Sequence, residues 1–404
     1  MPVNTPARLN LITRFSRWVG ATVSGALLDL WRPPASQIPF LDGLRTIAVL
    51  LVVNNHLNEQ FVAANGTNFY SRIPFVVNGW IGVDLFFVLS GFFIGGQLWK
   101  ELQRSGRIEI RRFVLRRGFR IWPLFYFVFF CIFVLTWPHA AAKQYGWSDV
   151  VFLTNYLNHG IVLGSWSLCT EEQFYILAPV LLALFATRKI RNYRPWLWII
   201  LALPLLNRIA VWVYETGHFF EISPVVFANI YYKFNTHCDG LIMGMIISNV
   251  WVSSGKDQAP RRKNWAAVSV LAGFGILVLA QRVQHQVLIF TGLAFFFGSL
   301  VWFGLHWNVS FFNSRLFYWG SRLSYGMYLN HAYLVPWVNN RVLPHVPMAP
   351  IPRQITGFIL LSVLSALLAV VTFCLVEHPF LELRGRWLAG EKDRVRMAVE
   401  TSAV

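Results

Sequence analysis

Residues 41–56 read Leu-Asp-Gly-Leu-Arg-Thr-Ile-Ala-Val-Leu-Leu-Val-Val-Asn-Asn-His. The centre of this stretch is wholly apolar, yet Asp42 and Arg45 precede it and Asn54, Asn55 and His56 close it. Extended to residues 40–58, it is long enough to cross hydrocarbon as a helix. Charged groups within such spans cost about 2.5 to 3.5 kcal/mol each on insertion scales, which makes them functional candidates by default. Arg45 and His56 are separated by eleven helical steps of roughly 100°, which return to within about 20° of the same face some ~16 Å along the axis. One face thus offers a fixed cation near one end and a titratable imidazole toward the other. The same pair also reads as an arginine snorkelling to headgroups and a histidine capping the helix in an outer loop.

The rest of the chain repeats this apolar character. Of 404 residues, 56% are hydrophobic and only 13% charged, where soluble domains carry about 25% charged. Apolar runs of spanning length fall near 40–58, 79–99, 120–138, 165–187, 195–214, 224–250, 265–282, 286–306, 323–340 and 355–376. The sequence therefore predicts an all-α polytopic membrane protein of about ten transmembrane helices. The net charge of +17 sits in short blocks between the runs, which is a topology signal and not a nucleic-acid-binding face. Sorting the loops by side places 27 Lys and Arg on one side and 5 on the other, so the N- and C-termini are expected in the cytoplasm.

Three regions follow from this pattern. Residues 1–36 are expected to form a cytoplasmic, interfacial segment, with Arg8, Arg14, Arg17 and Arg32 around Trp18, Leu27, Leu28 and Trp31. They lack the apolar core and small-residue cleavage site of a signal peptide. Residues 37–380 form the membrane domain, and 381–404 a basic cytoplasmic tail. The connection over 139–164, with Trp147, Phe152 and Tyr156, is expected to dip back into the membrane. Cys131, Cys169, Cys238 and Cys374 show no CxxC spacing and no zinc-type cluster, so they read as buried small residues and no metal site is expected.

Polar motifs recur inside or beside the spans. Gly79-Trp80-Ile81-Gly82-Val83-Asp84 sets a carboxylate among aromatic residues, with glycines that admit a neighbouring helix or ligand; a structural salt bridge is the plainer account. Arg112, Arg116, Arg117 and Arg120 recur at helical spacing, a guanidinium array suited to phosphates, although positive-inside anchoring also uses arginine. Trp166-Ser167-Leu168-Cys169-Thr170-Glu171-Glu172 brings two adjacent carboxylates to the start of a span, where they point about 100° apart, so one of them faces any shared site. Acidic residues there also serve as ordinary helix-dipole partners. His237-Cys238-Asp239-Gly240, Tyr325 to His331, and Glu377-His378-Pro379 complete the set. Pro379 reads as a helix terminator, Glu377 as partner to a basic neighbour, and a lone His331 as well as a core histidine.

Taken together and in order, these motifs resemble the integral-membrane acyltransferase-3 family of O-acyltransferases, over roughly residues 38–380. The resemblance rests on Leu41 to Arg45, the spacing from Arg45 to His56, Gly82 to Gly91, Arg117 to Pro123, Trp166-Ser167-Leu168 before Glu171, and Ser324 to Leu329 before His331. Two departures stand out. Cys169-Thr170 replaces a common Ser-Val, and Asn55 stands where a bulky residue often precedes the histidine. Some family members carry a fused extracytoplasmic hydrolase-like domain, and this chain is expected to be of the membrane-domain-only subtype.

The resemblance implies a multi-pass protein of a bacterial plasma membrane that moves an acyl group, most commonly acetyl, from cytoplasmic acyl-CoA to a hydroxyl of a saccharide or lipid-linked saccharide. Acyl-CoA would be a co-substrate, with no cofactor bound permanently and no nucleic acid as partner. Arg116, Arg117 and Arg120 would bind its phosphates, with Arg45 deeper in the channel. His56 would be the general base, and Glu171 or Asp84 would orient it. Trp166, Asp239 and His331 are expected at the acceptor. A covalent acyl-histidine stays open. The rival is a proton-coupled secondary transporter using the same His, Asp and Glu set, but the chain shows no matched halves and no matched pair of broken helices.

Overall fold

A computed structural model describes residues 20, 22–34, 37–66, 78–136, 140–157, 159–190, 192–254 and 259–388. Most of the segment expected over 1–36, and the tail beyond 388, lie outside the described residues. The described residues form helices and no strand. In chain order these are α1 (22–31), α2 (Pro39–Asn65), α3 (Ile81–Ser105), α4 (Ile110–Thr136), the short α5 (Ala140–Val150) and α6 (Thr154–Leu157), α7 (Ser165–Thr187) and α8 (Arg194–Thr216). Then follow α9 (Pro224–Tyr232), α10 (Asp239–Ser253), α11 (Ala259–His306), α12 (Arg315–Trp337) and α13 (Pro350–Thr372).

Six stretches among the described residues are long and apolar enough to cross a membrane: Ile81–Ser105, Ile110–Thr136, Ser165–Thr187, Arg194–Thr216, Lys263–His306 and Pro350–Leu388. With their outward Phe130, Leu135, Leu203, Leu206 and Leu367 exposed, they identify an all-α, multi-pass membrane protein whose apolar rim faces lipid. α2 and α12 occupy two further expected spans but carry polar residues along their length. α11 bends at Gln284 (φ −157°, ψ 87°), which divides it between the expected spans 265–282 and 286–306. The Gln284 amide donates to the carbonyls of Phe219 and Glu221, so the bend pins the α8–α9 loop. The expected span 224–250 is broken instead: α9 and α10 are separated by residues 233–238, which hold only a 3-10 turn at Phe234–Thr236.

Local chemistry sets the helix ends. Gly106 (φ 69°) and Gly217 (φ 80°) close α3 and α8 with their N–H groups on Leu102 and Val213 carbonyls, a left-handed exit that glycine takes without strain. Ser223 and Ser314 cap α9 and α12.

α3 is the central helix, packed along α10 and against α2. A Cβ on Gly91 would lie against the Leu241 carbonyl, and one on Gly244 against the Val88 carbonyl, so the α3–α10 pair touches backbone to backbone. Within the 139–164 connection α5 packs against α4 and α6 docks on the start of α7. There Asp149 accepts from the Ile161 N–H (2.7 Å), and Asn155 bonds Gln173 (3.0 Å). At the expected cytoplasmic end α1 lies on α12, where Tyr318 donates to the Asp29 and Arg32 carbonyls.

Candidate active site

α2, α3, α4, α7 and α12 enclose a cavity of about 130 Å³. Arg45 comes from α2, Ser90 from α3, Arg117 and Arg120 from α4, Ser167, Glu171 and Tyr175 from α7, and Tyr325 and Tyr328 from α12. Ser167, Glu171 and Tyr175 lie at i, i+4 and i+8, which is why one helix face supplies all three. Three guanidinium groups against one carboxylate suit this lining to an anion. The cations are packed against aromatic rings: Arg45 lies 5.0 Å from the centre of Phe93, and Arg117 5.8 Å from that of Phe113.

Glu171 accepts from the Tyr175 hydroxyl at 2.8 Å. Tyr175 has one proton to give, so Ser90, 2.8 Å from the same oxygen, is the donor to tyrosine. Glu172 points away and accepts from the Trp122 indole at 3.0 Å, as two adjacent helical residues must diverge. At the other side of the cavity the Tyr328 and Ser167 hydroxyls lie 2.6 Å apart, and both face the Gly164 carbonyl, at 3.0 and 3.4 Å.

Tyr328 also leads to a pair of histidines. Its ring centre is 5.9 Å from that of His331, and His331 Nε2 lies 2.8 Å from His56 Nδ1. His331 is buried and its Nδ1 faces the carbonyls of Tyr328 (2.7 Å) and Met327 (3.1 Å). His56 is half-buried.

A second polar centre lies under the α9–α10 break. His237 places Nδ1 2.6 Å from the Tyr231 carbonyl and Nε2 2.9 Å from Asp84 Oδ1. Its ring stacks near Trp166 (5.9 Å between centres) and lies tilted against Phe290 (3.9 Å). Beside it, Arg208 on α8 forms a two-pronged ion pair with Asp239, at 2.7 and 2.9 Å.

The expected site residues therefore divide. Arg45, Arg117, Arg120 and Glu171 line the cavity, and His56 and His331 stand beyond Tyr328. Arg116 is outside it, 3.7 Å from Glu101. Of the two carboxylates expected on His56, Glu171 accepts from Tyr175 and Asp84 bonds His237, while His56 Nδ1 faces His331. Asp239 and Trp166 belong to the second centre, Asp239 being saturated by Arg208 and Thr291. Glu377 sits among Arg120 and Arg322, the basic neighbours its position called for. Sequence reasoning passed over Arg208, although it is a charge inside an expected span. It also passed over the hydroxyls of Tyr175 and Tyr328, which carry no charge to flag them.

The profile of the acyltransferase domain family matches residues 38–376. The peptidoglycan O-acetyltransferase OatA of Listeria monocytogenes is 26% identical over 326 residues, 73% of this chain and 49% of that protein. The O-acetyltransferase OatA of Staphylococcus aureus is 24% identical over 371 residues, 85% of this chain and 57% of that protein. The chain thus spans about half the length of the curated relatives it matches. No solved structure matches it.

Proposed function

From the premise that this chain belongs to the acyltransferase domain family, we propose that it is a membrane-embedded O-acetyltransferase. It draws on acetyl-CoA from the expected cytoplasmic side and modifies a hydroxyl of a cell-envelope saccharide. Peptidoglycan sugars are the first acceptors to try, because that is the substrate in the name of the Listeria relative. The observation that supports the reading is the cavity itself, with Arg45, Arg117 and Arg120 in its lining and Tyr328 joining it to the His56–His331 pair.

In this reading the guanidinium groups hold the CoA phosphates through charge-assisted bonds, and the slender pantetheine arm carries the thioester toward Tyr328. The ~16 Å between Arg45 and His56 along α2 separates the anchoring charge from the reacting carbonyl. His56 takes the proton of the acceptor hydroxyl as its oxygen attacks the thioester carbon. Collapse of the tetrahedral intermediate breaks the C–S bond, and the imidazolium returns its proton to the departing sulfur. Glu171 balances the arginines when no anionic substrate is bound.

The test uses purified protein in detergent, wild type beside His56→Ala and the Arg117→Ala/Arg120→Ala double variant. Calorimetry measures acetyl-CoA binding, and thiol release with peptidoglycan fragments measures transfer. The double variant is expected to lose binding, and His56→Ala to bind and not transfer. A well-folded wild type that binds no acetyl-CoA, or His56→Ala that still transfers, would overturn the proposal. The first result would turn attention to proton-coupled transport.

A further inference from the structure

We propose that His331 is a positioning residue, which fixes His56 in the tautomer that presents a bare Nε2 to the acceptor hydroxyl. The catalytic meaning of this inference rests on the acyl-transfer reading above, whereas the tautomer itself is measurable without substrate.

The argument begins at a peptide carbonyl. His331 Nδ1 is 2.7 Å from the Tyr328 oxygen and 3.1 Å from the Met327 oxygen. Carbonyls only accept, so Nδ1 carries a hydrogen. A neutral imidazole has one N–H, which leaves His331 Nε2 as an acceptor. That nitrogen is 2.8 Å from His56 Nδ1, where two lone pairs repel and a hydrogen bond fits. His56 Nδ1 therefore carries the hydrogen between them, and the other nitrogen of a neutral His56, Nε2, is unprotonated. The chain runs one way: His56 donates to His331, and His331 donates to the α12 backbone.

The setting favours this order. His331 is only 2% exposed, so no solvent competes for its nitrogens, and each bond of a buried chain polarises the next. His56 is less buried than His331. The carboxylates that sequence offered are engaged by Tyr175 and His237. Glu59, three residues on in the same helix, has an oxygen that accepts from the Asn55 amide at 2.7 Å. His331 thus does what the carboxylate does in a serine-protease triad, selecting the tautomer and holding the ring. It does so without a charge. When His56 gains the proton, its Nδ1–H bond to His331 persists and the ring stays aimed.

The experiment is nitrogen NMR of protein labelled at its histidine rings. His56, one of ten histidines, is assigned by subtracting the His56→Ala spectrum. In wild type, Nδ1 is expected to be protonated and Nε2 bare. His331→Phe keeps the ring volume but removes the acceptor, so His56 shifts toward the Nε2–H form. Transfer turnover falls on the order of 10²- to 10⁴-fold with acetyl-CoA affinity unchanged. His331→Gln, whose carbonyl reaches the place of Nε2, restores the Nδ1–H signal and part of the rate.

The inference is overturned if wild-type His56 is protonated at Nε2. It is also overturned if a folded His331→Phe turns over at the wild-type rate, or if His331→Gln recovers no more activity than His331→Phe. A wild type that shows the expected tautomer but moves no acyl group refutes the proposed function and leaves the positioning geometry standing.

Discussion

Replacing Asp239 with asparagine tests whether the second polar centre is the bolt of the fold. All five guanidinium N–H groups of Arg208 are used: Nε on the Val287 carbonyl, Nη1 on the Thr236 carbonyl and Asp239, and Nη2 on Asp239 and Thr291. The pair is 0% and 1% exposed, and it ties α8 to the α9–α10 break and to the second limb of α11. Asp239→Asn removes the counter-charge and turns an amide N–H₂ toward one of the two prongs. Bonds to charged groups contribute about 1.5 to 3 kcal/mol each, and breaking a buried pair costs about 3 to 5 kcal/mol. Chains unfolded within a micelle find other partners, which draws the figure to the lower end. The expected loss is about 3 kcal/mol, read by equilibrium unfolding in mixed sodium dodecyl sulfate micelles. Arg208→Met with Asp239→Leu removes both charges, and should cost less than Asp239→Asn alone. A single-variant cost under about 1 kcal/mol, the level of a surface pair, or a double variant that costs the sum of the two singles, would refute the structural role.

Three further outcomes are expected. The Arg117→Ala/Arg120→Ala double variant should raise KM for acetyl-CoA on the order of 10²-fold, from about 1.5 kcal/mol per lost charge-assisted bond. Initial rates across acetyl-CoA concentrations check this, and an unchanged KM would remove these arginines from the phosphate site. Gly91→Leu should separate α3 from α10 and destabilise the protein by at least ~2 kcal/mol, seen as a lower thermal midpoint in detergent. Gly96→Leu, with only a distant neighbour at Ser248, is the tolerated control. Outside the long spans, burial pushes the Asp149 carboxyl above its ordinary range, opposed by the Ile161 N–H bond. An acid raised on folding contributes stability fully below its unfolded pKa of about 3.9 and loses it as pH rises through the raised value. Wild type should therefore lose thermal stability relative to Asp149→Asn as pH rises through that window, and a difference that does not vary with pH would refute the assignment.

Most of the fold was legible because spanning helices announce themselves by composition. What composition could not show was a break inside an apolar run. Residues 224–250 read as one span, and the interruption at 233–238 is held by bonds to Arg208 and Asp84, which are remote in sequence. Conversely α12 begins at Arg315 and not near 323, because Ser314 caps a first turn, and an apolar-run criterion discards the stretch that holds Arg315 and Arg322. The cavity was legible where periodicity along one helix suffices, as for Arg45 on α2 and Glu171 on α7. The His56–His331 pair was not, since it joins residues 275 positions apart.

The partner of Asp84, by contrast, was encoded in the glycines around it. Gly79 and Gly82 sit against the Leu51 and Ala48 carbonyls of α2, where a Cβ would not fit. Asp84 follows Gly82 by two residues, a turn of about 200°, so its side chain leaves the face that meets α2. Gly91 and Gly95 lie seven and eleven residues beyond Asp84, both within about 20° of its direction, and both are pressed on α10. One glycine pair thus marks the α2 side of α3 and the other marks the α10 side, with Asp84 belonging to the second. A carboxylate on that face meets the break before α10, where His237 waits, and is turned away from His56. His56 meets a residue of α12 instead, with its Nδ1 2.8 Å from His331 Nε2.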